Sequence, residues 1–213
     1  MNRIKFNRII QILYPLFVYY IFYNSFYSIF AAKFSESKGQ LFCLMLAGIV
    51  TLFPVSYIFY KSPKLIPSKI SDFRTIIKYI LAVICVVVLA IAINIIISQT
   101  NIFDYSSGFS RAEKTLLDGE IAVKIACNVI VIPILEEVLY RGIIAGQVCL
   151  WHGYIVASVI SAICFGISHF NIVQFLYAFI VGLALGVMYC KTKRLSLCIL
   201  AHSLINLIVI LFT

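Results

Sequence analysis

Two adjacent glutamates and an arginine stand in Ile132-Pro-Ile-Leu-Glu-Glu-Val-Leu-Tyr-Arg-Gly142, inside the largely apolar stretch 121–144. Glu137 and Arg141 are four residues apart, so on a helix they share a face and can pair. Glu136 points about 100° away and stays free for other partners. Pro133, one turn earlier, is expected to kink the helix. Two of the three histidines also lie in apolar runs. His169 closes Phe165-Gly-Ile-Ser-His169, and His202 opens His202-Ser-Leu-Ile-Asn206, with Asn206 on its face at i+4. His152, beside Trp151, reads as interfacial. Such residue types can perform hydrolysis. A glutamate in a wet pocket can act as general base, and one histidine can share the activation of water. A second histidine and an asparagine can donate to the oxyanion of a tetrahedral intermediate. The same set could instead hold zinc through two histidines and a carboxylate, leaving a position for water.

The bland reading has weight. A lone histidine in an apolar helix commonly serves as an interhelical hydrogen-bonder, and a Glu–Arg pair at i,i+4 can be structural glue. Cost and convergence argue for more. An acidic side chain at mid-helix in a bilayer costs about 2.5–3.5 kcal/mol on insertion scales. Polar groups in hydrocarbon must face one another or a water-filled cavity, so groups on three separate segments are expected to line one site. The sequence has no His-Glu-x-x-His pair, which disfavours a zincin-type site. No serine with a glycine loop lies within an apolar run; Gly108-Phe-Ser110 falls in an expected outer loop.

The elements that must position these residues follow from composition. Of 213 residues, 63% are hydrophobic and 12% charged, about half the charge of a soluble domain. A soluble enzyme, a secreted disulfide domain and a disordered chain are excluded, and the long apolar blocks indicate spanning helices rather than a barrel. Seven spans are expected, at 9–32, 40–60, 75–98, 121–144, 153–169, 172–190 and 195–212. The first is too long for a signal peptide's apolar core and reads as a retained helix.

The formal charge is +9, with Arg3, Lys5 and Arg8 before the first span, Lys61, Lys64, Lys69, Arg74 and Lys78 after the second, and Lys191, Lys193 and Arg194 after the sixth. This pattern records topology, not nucleic-acid binding: the N-terminus is expected in the cytoplasm and the C-terminus outside. The loop 99–120, carrying Asp104, Glu113, Asp118 and Glu120 against Arg111 and Lys114, is then external. The seven cysteines form no C-x-x-C pair and read as small buried hydrophobes. Cys190, beside the basic cluster, carries a weak palmitoylation signal. Gly182 and Gly186 form a G-x-x-x-G, expected to serve close packing within the bundle. The aromatic residues crowding the first span are expected at interfaces and in packing or lipid contact.

Taken in order, Glu136-Glu-x-x-x-Arg141, Phe165-x-x-x-His169 and His202-x-x-x-Asn206 resemble the motifs of the CPBP (Abi, or CAAX-protease-like) intramembrane protease family. The resemblance covers about 70 residues. Tyr140 stands where phenylalanine is usual, a mild departure. The resemblance implies an all-α polytopic membrane protein, about seven helices with a four-helix catalytic core. Residues 121–213 would be that core, and 1–120 a variable scaffold of three helices plus the outer loop. It implies an intramembrane endopeptidase in which Glu136 and His169 activate water, His202 and Asn206 form the oxyanion site, and Glu137 and Arg141 support the geometry.

Members are commonly labelled metalloproteases, while the related eukaryotic-type CAAX enzymes look like glutamate-dependent proteases without metal. The reading favours no cofactor and leaves zinc open, with Glu136, His169 and His202 as its ligands. The expected partners are the lipid bilayer and a peptide or protein substrate, in a bacterial cell membrane, for peptide processing or bacteriocin self-immunity. The alternative is a non-catalytic immunity or transport-associated protein that binds a peptide or cation at the same cluster.

One tension remains. Counted along the expected spans, His202 lies about 10 Å from the inner boundary, Glu136 about 12 Å and His169 about 24 Å. A common site needs the fifth helix to start below the surface, or to tilt strongly.

Overall fold

A computed structural model describes residues 3–70, 72–99 and 119–212. Residues 100–118 of the expected outer loop, with Asp104, Gly108, Ser110, Arg111, Glu113, Lys114 and Asp118, lie outside the described residues, as do the side chains of Arg3 and Lys5. Every regular element among the described residues is a helix: α1 (Arg3–Lys38), α2 (Gln40–Lys61), α3 (Phe73–Ser98), α4 (Ile121–Ile167), α5 (Ile172–Thr192) and α6 (Leu195–Phe212). This is the all-α polytopic membrane architecture that the composition requires, since a backbone crossing lipid must satisfy its hydrogen bonds within itself. Large apolar side chains such as Phe53, Val88, Ile96 and Leu211 face outward. In water such a surface would aggregate; in a bilayer it is solvated.

The polar punctuation between helices sets their ends. Gly39, with φ of 83°, turns α1 into α2. The Asp72 carboxylate accepts from the Thr75 amide at 3.3 Å and caps α3. Asn171 caps α5 in the same way, through the Gln174 amide at 2.9 Å.

Six helices among the described residues are long and apolar enough to cross a membrane, against the seven spans expected. The difference lies in α4. The segment 145–152, expected as an inner loop, is helical, and Ala145, Gly146, Gln147 and Val148 are buried. The helix of the fourth expected span therefore runs on to the start of the fifth, and α4 as a whole covers 47 residues, far longer than one bilayer crossing requires. It is not straight. At Gly153 the backbone leaves the helical region (φ 81°, ψ 175°), a conformation essentially restricted to glycine. The arm after Gly153 folds back along the arm before it, and the Ser161 hydroxyl donates to the Tyr140 carbonyl at 2.9 Å.

This hairpin removes the depth mismatch. Glu136 lies seventeen residues before Gly153 and His169 sixteen after it, so at 1.5 Å per residue both sit about 25 Å from the turn. The fifth expected span need not start below the surface, because the fourth runs on to meet it.

The second arm of α4 packs on α5 through the glycine pair. A Cβ at Gly186 would lie 2.9 Å from the Ser158 Cα, and one at Gly182 3.2 Å from the Ala162 Cα. The G-x-x-x-G is thus spent inside the bundle, as its spacing predicts. At one end of the bundle the cations gather. Arg8 lies 5.4 Å from the Trp151 ring, Lys191 5.3 Å from the Tyr154 ring and Arg194 5.4 Å from the Tyr79 ring.

Candidate active site

The first arm of α4 changes its winding around the glutamate pair. An α-helical turn, Ile132–Glu137, is flanked by π-helical stretches at Ile125–Val131 and Val138–Ala145. Pro133 supplies no N–H to the ladder, and it stands two residues after the first of these stretches. Wider i→i+5 turns inside helices occur frequently at functional sites. Here they set the directions in which Glu136, Glu137 and Arg141 leave the backbone.

Glu137 is the centre of the polar cluster. Its Oε1 accepts from Arg141 Nη1 at 2.7 Å and from His202 Nδ1 at 2.8 Å. Both Glu137 and Arg141 are fully buried. Arg141 reaches further, donating from Nη2 to the Gly182 carbonyl on α5 at 3.3 Å and stacking 4.6 Å from the Phe165 ring centre. Because a carboxylate can only accept, His202 Nδ1 carries a proton and its Nε2 faces the other way. That nitrogen lies 3.8 Å from Glu136 Oε2. The separation is too long for a direct hydrogen bond and suits one small atom or group lying against both. Glu136 and His202 retain 12% and 10% side-chain exposure, so this gap is the accessible edge of the cluster.

His169 is held by its own helix end. Its Nδ1 donates to the Phe165 carbonyl at 2.9 Å, which leaves Nε2 with its lone pair free. The Phe165 ring stands edge-on to both histidines, 5.0 Å from His169 and 5.9 Å from His202, and 5.2 Å from Tyr140. His202, His169, Glu137 and Arg141 are ionisable groups within electrostatic reach of Glu136, so all five share one neighbourhood. Asn206, one turn beyond His202, donates to the Asn128 carbonyl at 2.7 Å. Its second amide hydrogen is left for another acceptor.

Of the six residues singled out from the sequence, Glu136, Glu137, Arg141 and His202 thus form one contact chain. His169 joins it through Phe165, and Asn206 is anchored beside it on Asn128. His152 is exposed and takes no part. Three contributions escaped the sequence reading. Phe165 lay inside a quoted motif, yet its role as the ring between both histidines and the guanidinium has no sequence signature. Asn128, buried with its amide nitrogen without a partner, was an amide eight residues before Glu136 in an apolar stretch, and that was the signal. Tyr19 and Tyr23 of α1 stack at 5.6 Å and lie within electrostatic reach of Glu136; their i,i+4 spacing was legible, their target was not.

The zinc set left open by the sequence is Glu136, His169 and His202. Among the described residues, no three His, Cys, Asp or Glu side chains are gathered so as to hold a metal ion. The donors as placed do not fit a three-ligand site, and the chemistry below is derived from the chain's own groups.

Comparison with known proteins bears on the same segment. Residues 118–208 match the family model described as type II CAAX prenyl endopeptidase Rce1-like. The Bacillus subtilis (strain 168) protein named "Putative membrane peptidase YdiL" is 33% identical over 91 residues, which is 43% of this chain and 37% of that protein. The match therefore spans little more than a third of that relative's length. No solved structure matches the chain significantly. The family match falls on α4 to α6, where the three motifs lie, and there the chain is similar to a CAAX-type membrane endopeptidase.

Proposed function

We propose that this membrane protein is an intramembrane endopeptidase that hydrolyses a peptide bond with water activated by Glu136 and His169. The observation that carries the reading is the 3.8 Å gap between Glu136 Oε2 and His202 Nε2, with His202 fixed from behind by the Glu137–Arg141 pair. A water against Glu136 loses its proton to the carboxylate, with the free Nε2 of His169 sharing that proton. The resulting hydroxide adds to the substrate carbonyl carbon, and its π electrons move onto the oxygen. Nε2–H of His202 and the spare amide hydrogen of Asn206 donate to that oxyanion. This role requires His202 to carry a proton on each nitrogen. Collapse of the intermediate breaks the C–N bond, and Glu136 returns its proton to the leaving amine.

The scheme divides the chain into 121–213 as the catalytic core and 1–120 as scaffold. It also takes a bacterial cell membrane as the site of action, with the N-terminus cytoplasmic. A peptide or protein within or on the bilayer is the substrate, for processing or for self-immunity to a bacteriocin. The test compares membrane peptides by mass spectrometry from cells carrying the wild-type chain or Glu136→Gln. Cleavage products that vanish with the variant support the reading. A variant that matches wild type in both phenotype and peptide pattern favours the non-catalytic binding protein instead.

A further inference from the structure

A second site lies on the outside of the bundle, away from the glutamates. Helices α3 and α5 enclose a groove of about 730 Å³. Two alanines, Ala82 from α3 and Ala184 from α5, are among its lining residues, and larger side chains there would fill the space. One end carries Lys78 and Lys191; the other reaches Leu89 and Ile180. Both lysines are exposed, and neither has an acidic partner among the described residues. Arg194, stacked on Tyr79 of the groove wall and bound to the Ser68 carbonyl at 2.7 Å, adds a third cation beside them.

The dimensions and the polarity agree. Lys78 to Leu89 on α3 and Ile180 to Lys191 on α5 are the same number of residues apart, about 16 Å on each helix. That is half of a hydrocarbon core about 30 Å thick, the depth of one leaflet. We infer that the α3–α5 groove is a binding site for one anionic phospholipid. The phosphate sits between Lys78 and Lys191, and an acyl chain lies over Ala82 and Ala184. Basic pockets between spanning helices bind anionic head groups in this manner. A zwitterionic lipid offers the same chains but places its own cation against the two lysines. The groove is therefore selective for net negative charge. Its inner wall, α5, also carries the Gly182 carbonyl that receives Arg141, so an occupied groove braces the helix that holds the arginine.

The test is titration of the purified full chain in detergent with phosphatidylglycerol and with phosphatidylcholine of identical chains, read by native mass spectrometry. Phosphatidylglycerol is expected to bind at least tenfold more tightly. Lys78→Gln with Lys191→Gln is expected to weaken it about fivefold per lysine. Lys61→Gln with Lys64→Gln, which removes the same charge elsewhere at the basic end, is expected to leave it unchanged. Ala184→Phe fills the groove and keeps both lysines; loss of selective binding is expected. Equal binding of the two lipids overturns the inference, as does equal weakening by the two lysine pairs. If the Lys78/Lys191 variant does not fold, Ala184→Phe decides: undiminished phosphatidylglycerol binding then overturns it.

Discussion

Glu137 and His202 are 65 residues apart in the chain and 2.8 Å apart in space, and that bond orients the imidazole toward Glu136. A position so constrained has consequences for chemistry and for stability, and the two can be measured separately.

Glu136→Gln keeps the size of the side chain and removes its basicity. Cleavage is expected to fall by about 10²–10⁴, the range general-base catalysis supplies, with the thermal unfolding midpoint in detergent nearly unchanged. A large loss of stability with residual activity would instead make Glu136 structural.

The Glu137–Arg141 pair is fully buried. Removing one member leaves the other charge uncompensated, and Glu137→Leu or Arg141→Met is expected to cost about 3–5 kcal/mol of stability. The double variant Glu137→Leu with Arg141→Met is expected to cost less than the sum of the singles. An unfolding-based double-mutant cycle checks this, and strict additivity would show that the two side chains do not interact.

Asn206→Ala removes an amide anchored on the Asn128 carbonyl. If the other amide hydrogen serves the oxyanion, kcat is expected to drop about 10²–10³ with KM little changed, since the contact belongs to the transition state. A rise in KM alone would move Asn206 to substrate binding.

Activity is expected to survive prolonged treatment with a strong chelator, because the groups assigned to the reaction are Glu136, His169, His202 and Asn206. Activity lost on chelation and restored by zinc would make Glu136, His169 and His202 ligands and would require the side chains to move together.

Gly153→Ala meets no atom within 4 Å of the new Cβ, so its cost is confined to the backbone. At φ 81° and ψ 175° that cost is about 1–3 kcal/mol. Lower stability is expected together with a loss of cleavage, since the turn brings Glu136 and His169 level. Unchanged activity would show that the hairpin tolerates a different turn.

The cluster was legible because its background is so apolar. In a soluble chain Glu136, His169 and His202 would be three polar residues among many; in lipid each needs a partner, and α6 supplies His202 to the glutamates of α4 while His169 turns to the Phe165 carbonyl. The G-x-x-x-G was legible for a similar reason, as small residues four apart permit close approach. The segment 145–152 was not, because Ala-Gly-Gln-Val-Cys-Leu-Trp-His suits a partly embedded loop as well as a helix. Only the positive φ of Gly153 locates the turn, and a glycine's φ is invisible in a sequence. The π-helical stretches leave no trace either, since a shift from i+4 to i+5 hydrogen bonding changes no residue type. Phe165 was visible as a motif position, yet three-way ring contact depends on how the two arms of α4 and α6 cross.

The near-equal arms on either side of Gly153 make α4 a measuring device. Deleting one residue from either arm would shift its reactive group by about 1.5 Å along the axis and swing it by about 100° around it. Length changes in this part of the chain are therefore tolerable only in matched pairs, one on each side of the fold-back, so that a gap on one side obliges a gap on the other.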